Sequence, residues 1–191
     1  MAAFGRPQRA ALWRVRTMIF VTVGTQMHFD RLIEAVDDWA GILHDEEVFA
    51  QTGPSSYRAR HIKTKSFITP QEFRLYAERA RIFISHAGMG SILTALEFGK
   101  RIAVMPRRSD LGEHRNDHQL ATARYFGSQG RVVVAQDRQE LCEKLTQWDD
   151  ADGLEPISPT ASPILIGTIK RFIESKNTAL ALQQGASLAP R

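Results

Sequence analysis

Residues 84–106, ISHAGMGSILTALEFGKRIAVMP, decide how this chain folds. The apolar run through Ser85 reads as a buried strand. Gly88 and Gly90 mark a tight polar turn, Ser91–Phe98 a helix closed by Gly99, and Arg101–Met105 a second strand. The turn, His86 to Ser91, lies where a strand gives way to a helix. N–H groups at a helix N-terminus have no intrahelical partner, and the helix dipole adds partial positive charge there, so the turn suits an anion. Glu97 follows Ser91 by six residues, roughly 9 Å along a helix axis. That is the reach from a diphosphate to a ribose, whose hydroxyls a carboxylate can accept. Spacing alone leaves two readings open: a nucleotide-linked ligand, or a plain connection with Glu97 solvated. Leu93 stands where the dinucleotide fingerprint G-x-G-x-x-G needs its third glycine, and no G-K-[ST] follows to make a P-loop.

The same alternation extends outward. Met18–Val23 is a β-branched apolar run ending in Gly24-Thr25. Phe29, Leu32, Ile33, Val36, Ala40 and Leu43 then recur at helical spacing. Val48–Gln51 and Lys65–Ile68 read as strands, and Thr69 caps a helix opened by Pro70. Beyond Met105, Asp117–Phe126 reads as a helix, Arg131–Ala135 as a strand and Gln139–Trp148 as a helix. The fold expected is α/β: a Rossmann-like parallel sheet with helices on both faces. Ligands of such sheets bind beyond the carboxyl ends of the strands. Three polar loops leave strands there, at Gly24-Thr25, His86–Ser91 and Arg107–Gln119, and they converge on one crevice.

Composition sets bounds. The 191 residues suffice for one α/β domain, and 43% apolar with 24% charged residues is ordinary for a globular chain. The net charge of +4 owes much to Arg6, Arg9, Arg14 and Arg16, so the rest is nearly neutral and nucleic-acid binding is not suggested. Cys142 is the only cysteine, which rules out an intrachain disulfide and fits a reducing compartment. No run is long and apolar enough for a transmembrane helix. Residues 1–17, MAAFGRPQRAALWRVRT, form a basic leader without acids, read as disordered or as an amphipathic anchor, and Met18 is an alternative translation start. The domain is expected over 18–148, a linker over 149–163, an amphipathic helix over 164–175 and a disordered tail over 176–191.

The loop RRSDLGEHRNDHQ, residues 107–119, combines arginines with carboxylates, amides and two histidines. Carboxylates and amides fork onto sugar hydroxyls, and arginine neutralises phosphate. His114 and His118, spaced i, i+4, also suit a metal on a helix face, but no cysteine nearby supports it. A solvated loop with a helix cap is the plain alternative.

Residues 85–119, SHAGMGSILTALEFGKRIAVMPRRSDLGEHRNDHQ, resemble the nucleotide-sugar half of the GT-B glycosyltransferases, the family 28 C-terminal domain. VTVGTQMHFDRLI (21–33) and EHRNDHQ (113–119) further resemble the PssE-type short subunits of split exopolysaccharide glycosyltransferases. The resemblance spans about Met18 to Leu145. It implies the C-terminal, donor-binding half of a GT-B fold and a UDP-sugar as donor substrate, with no cofactor and no metal. Gly24, Thr25, His86, Gly88, Met89, Gly90 and Ser91 would then face the donor diphosphate, Glu97 the ribose, Phe67 and Ile68 the uracil, and Asn116, Asp117, His118 and Gln119 the donor sugar. Glu113 and His114 are weak candidates for a general base, with the partner its favoured source. The implied enzyme is a hexosyltransferase completed by a membrane-attached, acceptor-binding subunit that presents a lipid-linked acceptor. That would place the chain in the cytoplasm, peripheral to the inner membrane, with a homodimer admitted when isolated. The rival reading is a non-catalytic accessory that stabilises a catalytic membrane partner.

Overall fold

The computed structural model describes residues 18–43, 46–148 and 155–185. The expected leader, the linker residues 149–154 and the tail residues 186–191 lie outside the described residues. Chain order runs β1 (Met18–Thr22), α1 (Asp30–Ala40), β2 (Glu47–Gln51), β3 (Lys63–Lys65), α2 (Pro70–Arg79) and β4 (Ala80–His86). It continues through α3 (Met89–Glu97), β5 (Arg101–Met105), α4 (His118–Ser128), β6 (Val133–Val134), α5 (Arg138–Thr146) and α6 (Pro163–Gly185). The six strands make one sheet in the order β3-β2-β1-β4-β5-β6, with every neighbouring pair parallel. The winding direction reverses between β1 and β4, and the crevice outside their carboxyl ends is where such sheets take ligands.

The strands read as unbroken apolar runs because both faces are covered. Ile19, Val21, Ile82, Ile84 and Met105 pack with Leu32, Ile33 and Val36 of α1 and with Leu141 and Leu145 of α5. Phe20, Phe83, Ile102 and Val104 face the other way, onto Ala77 of α2, Ile92 and Leu96 of α3 and Ala123 of α4. Each fully buried large side chain contributes about 1.5–3 kcal/mol. On that second face Phe20 meets the edges of Phe83 and Phe73 at centroid distances of 5.1 and 5.5 Å, a favoured aromatic geometry.

Where the expected elements shift, hydrogen bonding explains it. The strand expected over Lys65–Ile68 ends at Lys65. The Ser66 carbonyl accepts the Gly53 N–H at 2.9 Å, and the chain then turns into a full capping box, in which Thr69 and Glu72 each bond the other's backbone. Phe67 and Ile68 therefore sit in a loop. Helix α3 starts at Met89 with Gly88 as its N-cap, so Ser91 belongs to its first turn rather than opening it. Inside the expected linker, the Ile157 N–H donates to the Leu96 carbonyl and its side chain packs on the core. Two compact units divide after Ile157. The second contains α6, which runs to Gly185, beyond the end expected at 175. Among the described residues, no helix is long and apolar enough to cross a membrane.

One polar residue, unremarked by periodicity, holds the β2–β3 connection. Asp37 of α1 is 1% exposed. Its carboxylate accepts the N–H groups of Arg60, His61 and Ile62 and the Tyr57 hydroxyl. Burial alone would raise its pKa, but these donors outweigh burial and hold it below the usual carboxylate value. This stabilisation is therefore full above the unfolded pKa of about 4 and is lost as pH falls through the lower folded value. Asp37→Ala should cost roughly 2–3 kcal/mol by urea unfolding, the scale of charge-assisted bonds removed from buried donors. A change within about 0.5 kcal/mol, ordinary for a surface site, would mean that the connection is held by its apolar contacts alone.

Candidate functional site

Three chain segments leave the carboxyl ends of β1, β4 and β5 and enclose a cavity of about 430 Å³. From β1 come Gly24, Thr25, Gln26 and Met27; from β4 and α3 come His86, Gly88, Gly90 and Ser91. From the segment after β5 come Arg107, His114, His118 and Gln119. The convergence expected of the three loops is what the fold produces.

Two glycines shape the site around one ring. Gly24 adopts a left-handed φ of +77°, and a Cβ there would stand 3.0 Å from His86 Cε1. A Cβ on Gly88 would collide with the same imidazole. His86 Nδ1 is buried without a partner in hydrogen-bonding geometry, a costly condition, and the Thr22 backbone beside the ring favours its protonated form against burial. Burial first, and then the positive charge of Arg107, lower the His86 pKa to about 4. The ring is thus neutral at pH 7 and carries one donor and one acceptor. Beside it, the first-turn N–H groups of α3 lack intrahelical partners, and Gly90 leaves open space there.

The segment after β5 departs most from expectation. Arg107, read as neutralising a phosphate, is 3% exposed. Its guanidinium donates to the carbonyls of His28, Glu113, Val23 and Met27 at 2.6–3.0 Å. It also lies over the Phe29 ring at 4.7 Å. Burial lowers its pKa to about 10, against the pull of Glu113, so it stays charged. Arg107 borders the cavity as a brace. Glu113 is not poised as a base either: its carboxylate takes both Nε and an Nη of Arg31, at 2.7 and 2.8 Å, and the Arg108 N–H.

Asp117 accepts the Ser109 N–H instead of capping α4. Asn116 accepts from the His118 N–H at 3.3 Å, and Gln119 accepts the Arg107 N–H. His114 precedes α4 and His118 begins it, so they do not share a helix face as a metal pair would. Their rings meet edge to face at 4.6 Å. Burial and the charges of His118 and Arg107 lower the His114 pKa.

Some expected residues stand off the cavity wall. Glu97 lies at the far end of α3, half-buried, 3.9 Å from Arg74. Phe67, Ile68, Met89, Asn116 and Asp117 do not line the cavity. Missed by the sequence reading were the braces Arg31, Phe29 and Gln51. The available signal was a polar Gln51 closing an apolar strand.

The residues 18–150 match the family model described as "Glycosyltransferase family 28 C-terminal domain". The chain belongs to that family. One curated relative and two solved structures are also similar to this chain. The mouse (Mus musculus) UDP-N-acetylglucosamine transferase subunit ALG13 is 26% identical over an alignment of 181 residues that covers 82% of this chain and 15% of that protein. This chain thus spans only a small part of that relative's length. Among solved structures, the glycotransferase of kitacinnamycin aligns with a TM-score of 0.56 at 20% identity, over 78% of this chain and 40% of that one. Acinetobacter baumannii MurG aligns with a TM-score of 0.51 at 18% identity, over 70% of this chain and 40% of that one. Both likenesses report the fold, and both cover well under two thirds of the solved chains.

In this family 28 domain the surroundings of His86 set its charge state. The folded pKa of about 4 lies below the unfolded value of about 6.5. The unfolded chain therefore takes up the proton first. Stability from this group is full above pH 6.5 and falls as pH drops towards 4. Imidazole NMR shifts should titrate near pH 4 for His86, and His86→Gln should flatten the acid limb of the stability profile. A midpoint near 6.5 would mean that water reaches the ring.

Proposed function

We propose that this chain is the UDP-sugar-binding subunit of a two-component hexosyltransferase, which passes a sugar to a lipid-linked acceptor held by a membrane-attached partner. The observation that carries the reading is the His86 ring on the cavity wall, its Nε2–Cε1 edge against Gly24 and Gly88 and beside the first turn of α3. A diphosphate placed there takes hydrogen bonds from the α3 N–H groups and from the neutral His86 ring. Both supports are fixed before reaction, so they stabilise the departing UDP as its charge develops. The ring adds a hydrogen bond without adding charge.

Glu97 is the ribose ligand in this reading. Its contact with Arg74, at 3.9 Å and open to solvent, is weak and salt-screened, which leaves the carboxylate available to two hydroxyls. Phe67 and Ile68 border the base, and Asn116, Asp117, His118 and Gln119 the sugar. Of the two base candidates, Glu113 is engaged by Arg31 and His114 lines the cavity, and we assign the general base to the partner. The name of the mouse relative, a UDP-N-acetylglucosamine transferase subunit, supports a donor subunit and makes that sugar nucleotide the first to try. Assembly in exopolysaccharide synthesis at the cytoplasmic membrane face is part of the same proposal.

Calorimetry with UDP, UDP-N-acetylglucosamine, UDP-glucose and UDP-glucuronate tests it, with ADP and NAD as controls. Selective UDP-sugar binding is expected. His86→Ala should weaken UDP far more than uridine, whereas Glu97→Ala should weaken both. Equal losses for UDP and uridine in His86→Ala would move the ring away from the diphosphate. If no UDP ligand binds, the accessory-subunit reading replaces this one.

A further inference from the structure

Gln51 closes β2 with a side chain that is 3% exposed and does not line the cavity, yet every polar atom of its amide is engaged. Its Oε1 accepts the Thr22 hydroxyl at 2.6 Å. Its Nε2 donates to the Gly24 carbonyl at 2.8 Å and to the Ser66 carbonyl at 3.0 Å. Thr22 Oγ1 in turn accepts the Gly24 N–H at 3.2 Å. The orientation of the amide is settled, since only nitrogen can donate to two carbonyls. One buried amide thus joins two loops with no other described link of this kind. Gly24 belongs to the wall that presses on His86, and Ser66 leads into Phe67 and Ile68.

We propose that Gln51, supported by Thr22, is a positioning residue that fixes the distance between a phosphate-side and a base-side subsite, so that a nucleoside diphosphate binds both at once. The inference rests on the donor-binding reading above. A ligand with two linked parts gains from the second contact only if the two subsites are held at the span of the ligand; looseness between them lowers the effective concentration of the second part. The separate parts feel no such requirement. Uridine needs only the base side, and pyrophosphate only the phosphate side. This separates positioning from general damage to the fold, which weakens every ligand alike.

The side chains that carry the link can be removed with little change in shape. Gln51→Met keeps the length and loses both donors. Thr22→Val keeps the volume and loses the hydroxyl that orients the amide, and Thr22→Ser restores it. Binding of UDP, uridine and pyrophosphate would be measured by calorimetry on the full chain, with thermal unfolding alongside. Gln51→Met should lose UDP affinity by about 10-fold or more while uridine and pyrophosphate each change by less than about 3-fold. Thr22→Val should follow it in direction, and Thr22→Ser should bind UDP like the parent.

Parallel losses for all three ligands in Gln51→Met and Thr22→Val would overturn the coupling and leave Gln51 a fold residue. So would unchanged UDP affinity in Gln51→Met. Failure of the parent chain to bind UDP would instead strike the donor reading, and this inference with it. A variant that does not fold is recognised by its melting curve, and the Thr22→Val and Thr22→Ser pair then decides.

Discussion

The site depends on the Arg107 guanidinium. Loops that leave the carboxyl ends of parallel strands carry carbonyl groups with no ladder to join, and burying them unpaired is costly. Arg107 gathers four such carbonyls, three from the segment after β1 and one from its own loop. The planar fork of arginine, always charged and rich in donors, suits this task where lysine would not. Its charge is not left alone in the interior: Glu113 stands close enough to raise its pKa against burial, and Glu113 is itself clasped by Arg31 of α1. A cation, an anion and a second cation therefore bind the β1–α1 loop, the β5–α4 loop and α1 into one wall.

That wall sets the electrostatics of the cavity it encloses. The fixed charge of Arg107 reinforces burial in keeping His86 neutral, and it lowers the His114 pKa as well. An anion entering the cavity meets a nearby buried cation whose hydrogen bonds are already committed, an uncharged imidazole, and the N-terminal turn of a helix. Long-range attraction and short-range hydrogen bonding are thus supplied by different groups. For an anion bound there, the charge would contribute field and the ring would contribute geometry.

What was legible in the sequence follows from which forces leave a pattern. Apolar periodicity reports burial, and it located the strands from Met18, Val48, Arg81 and Arg101 and the helices between them. Turn residues reported where those elements open onto the crevice, which is why Gly24, His86, Gly88 and Ser91 were picked out together and do meet. Backbone acceptors leave no pattern. Arg107, Glu113, Asp37 and Gln51 act on N–H and carbonyl groups 5–84 residues away, so Arg107 reads as a phosphate ligand and Glu113 as a base until the fold brings their true partners together. The same cause displaced β3, where the Ser66 carbonyl is taken by Gly53 and Gln51 and cannot serve a longer strand.

The two glycines beside His86 show how a local requirement can arise at a distance from its cause. Gly88 has an ordinary φ of −86°, which any residue can adopt. Its backbone does not need glycine; the neighbouring imidazole does, because a Cβ would occupy the space of the ring. Gly24 answers to both causes, a left-handed backbone and the other side of the same ring. The spacing of His86 and Gly88 is therefore a steric pair, with the histidine defining the glycine. Gln51 completes it, since the amide that holds the Gly24 carbonyl keeps the far wall of the slot in place. A larger residue at either glycine would crowd the ring and disturb the cavity. Core and site meet at Val23, which lines the cavity and packs in the core, and at Phe29, a core residue under the Arg107 guanidinium, so substitutions there should affect both the sheet and the site.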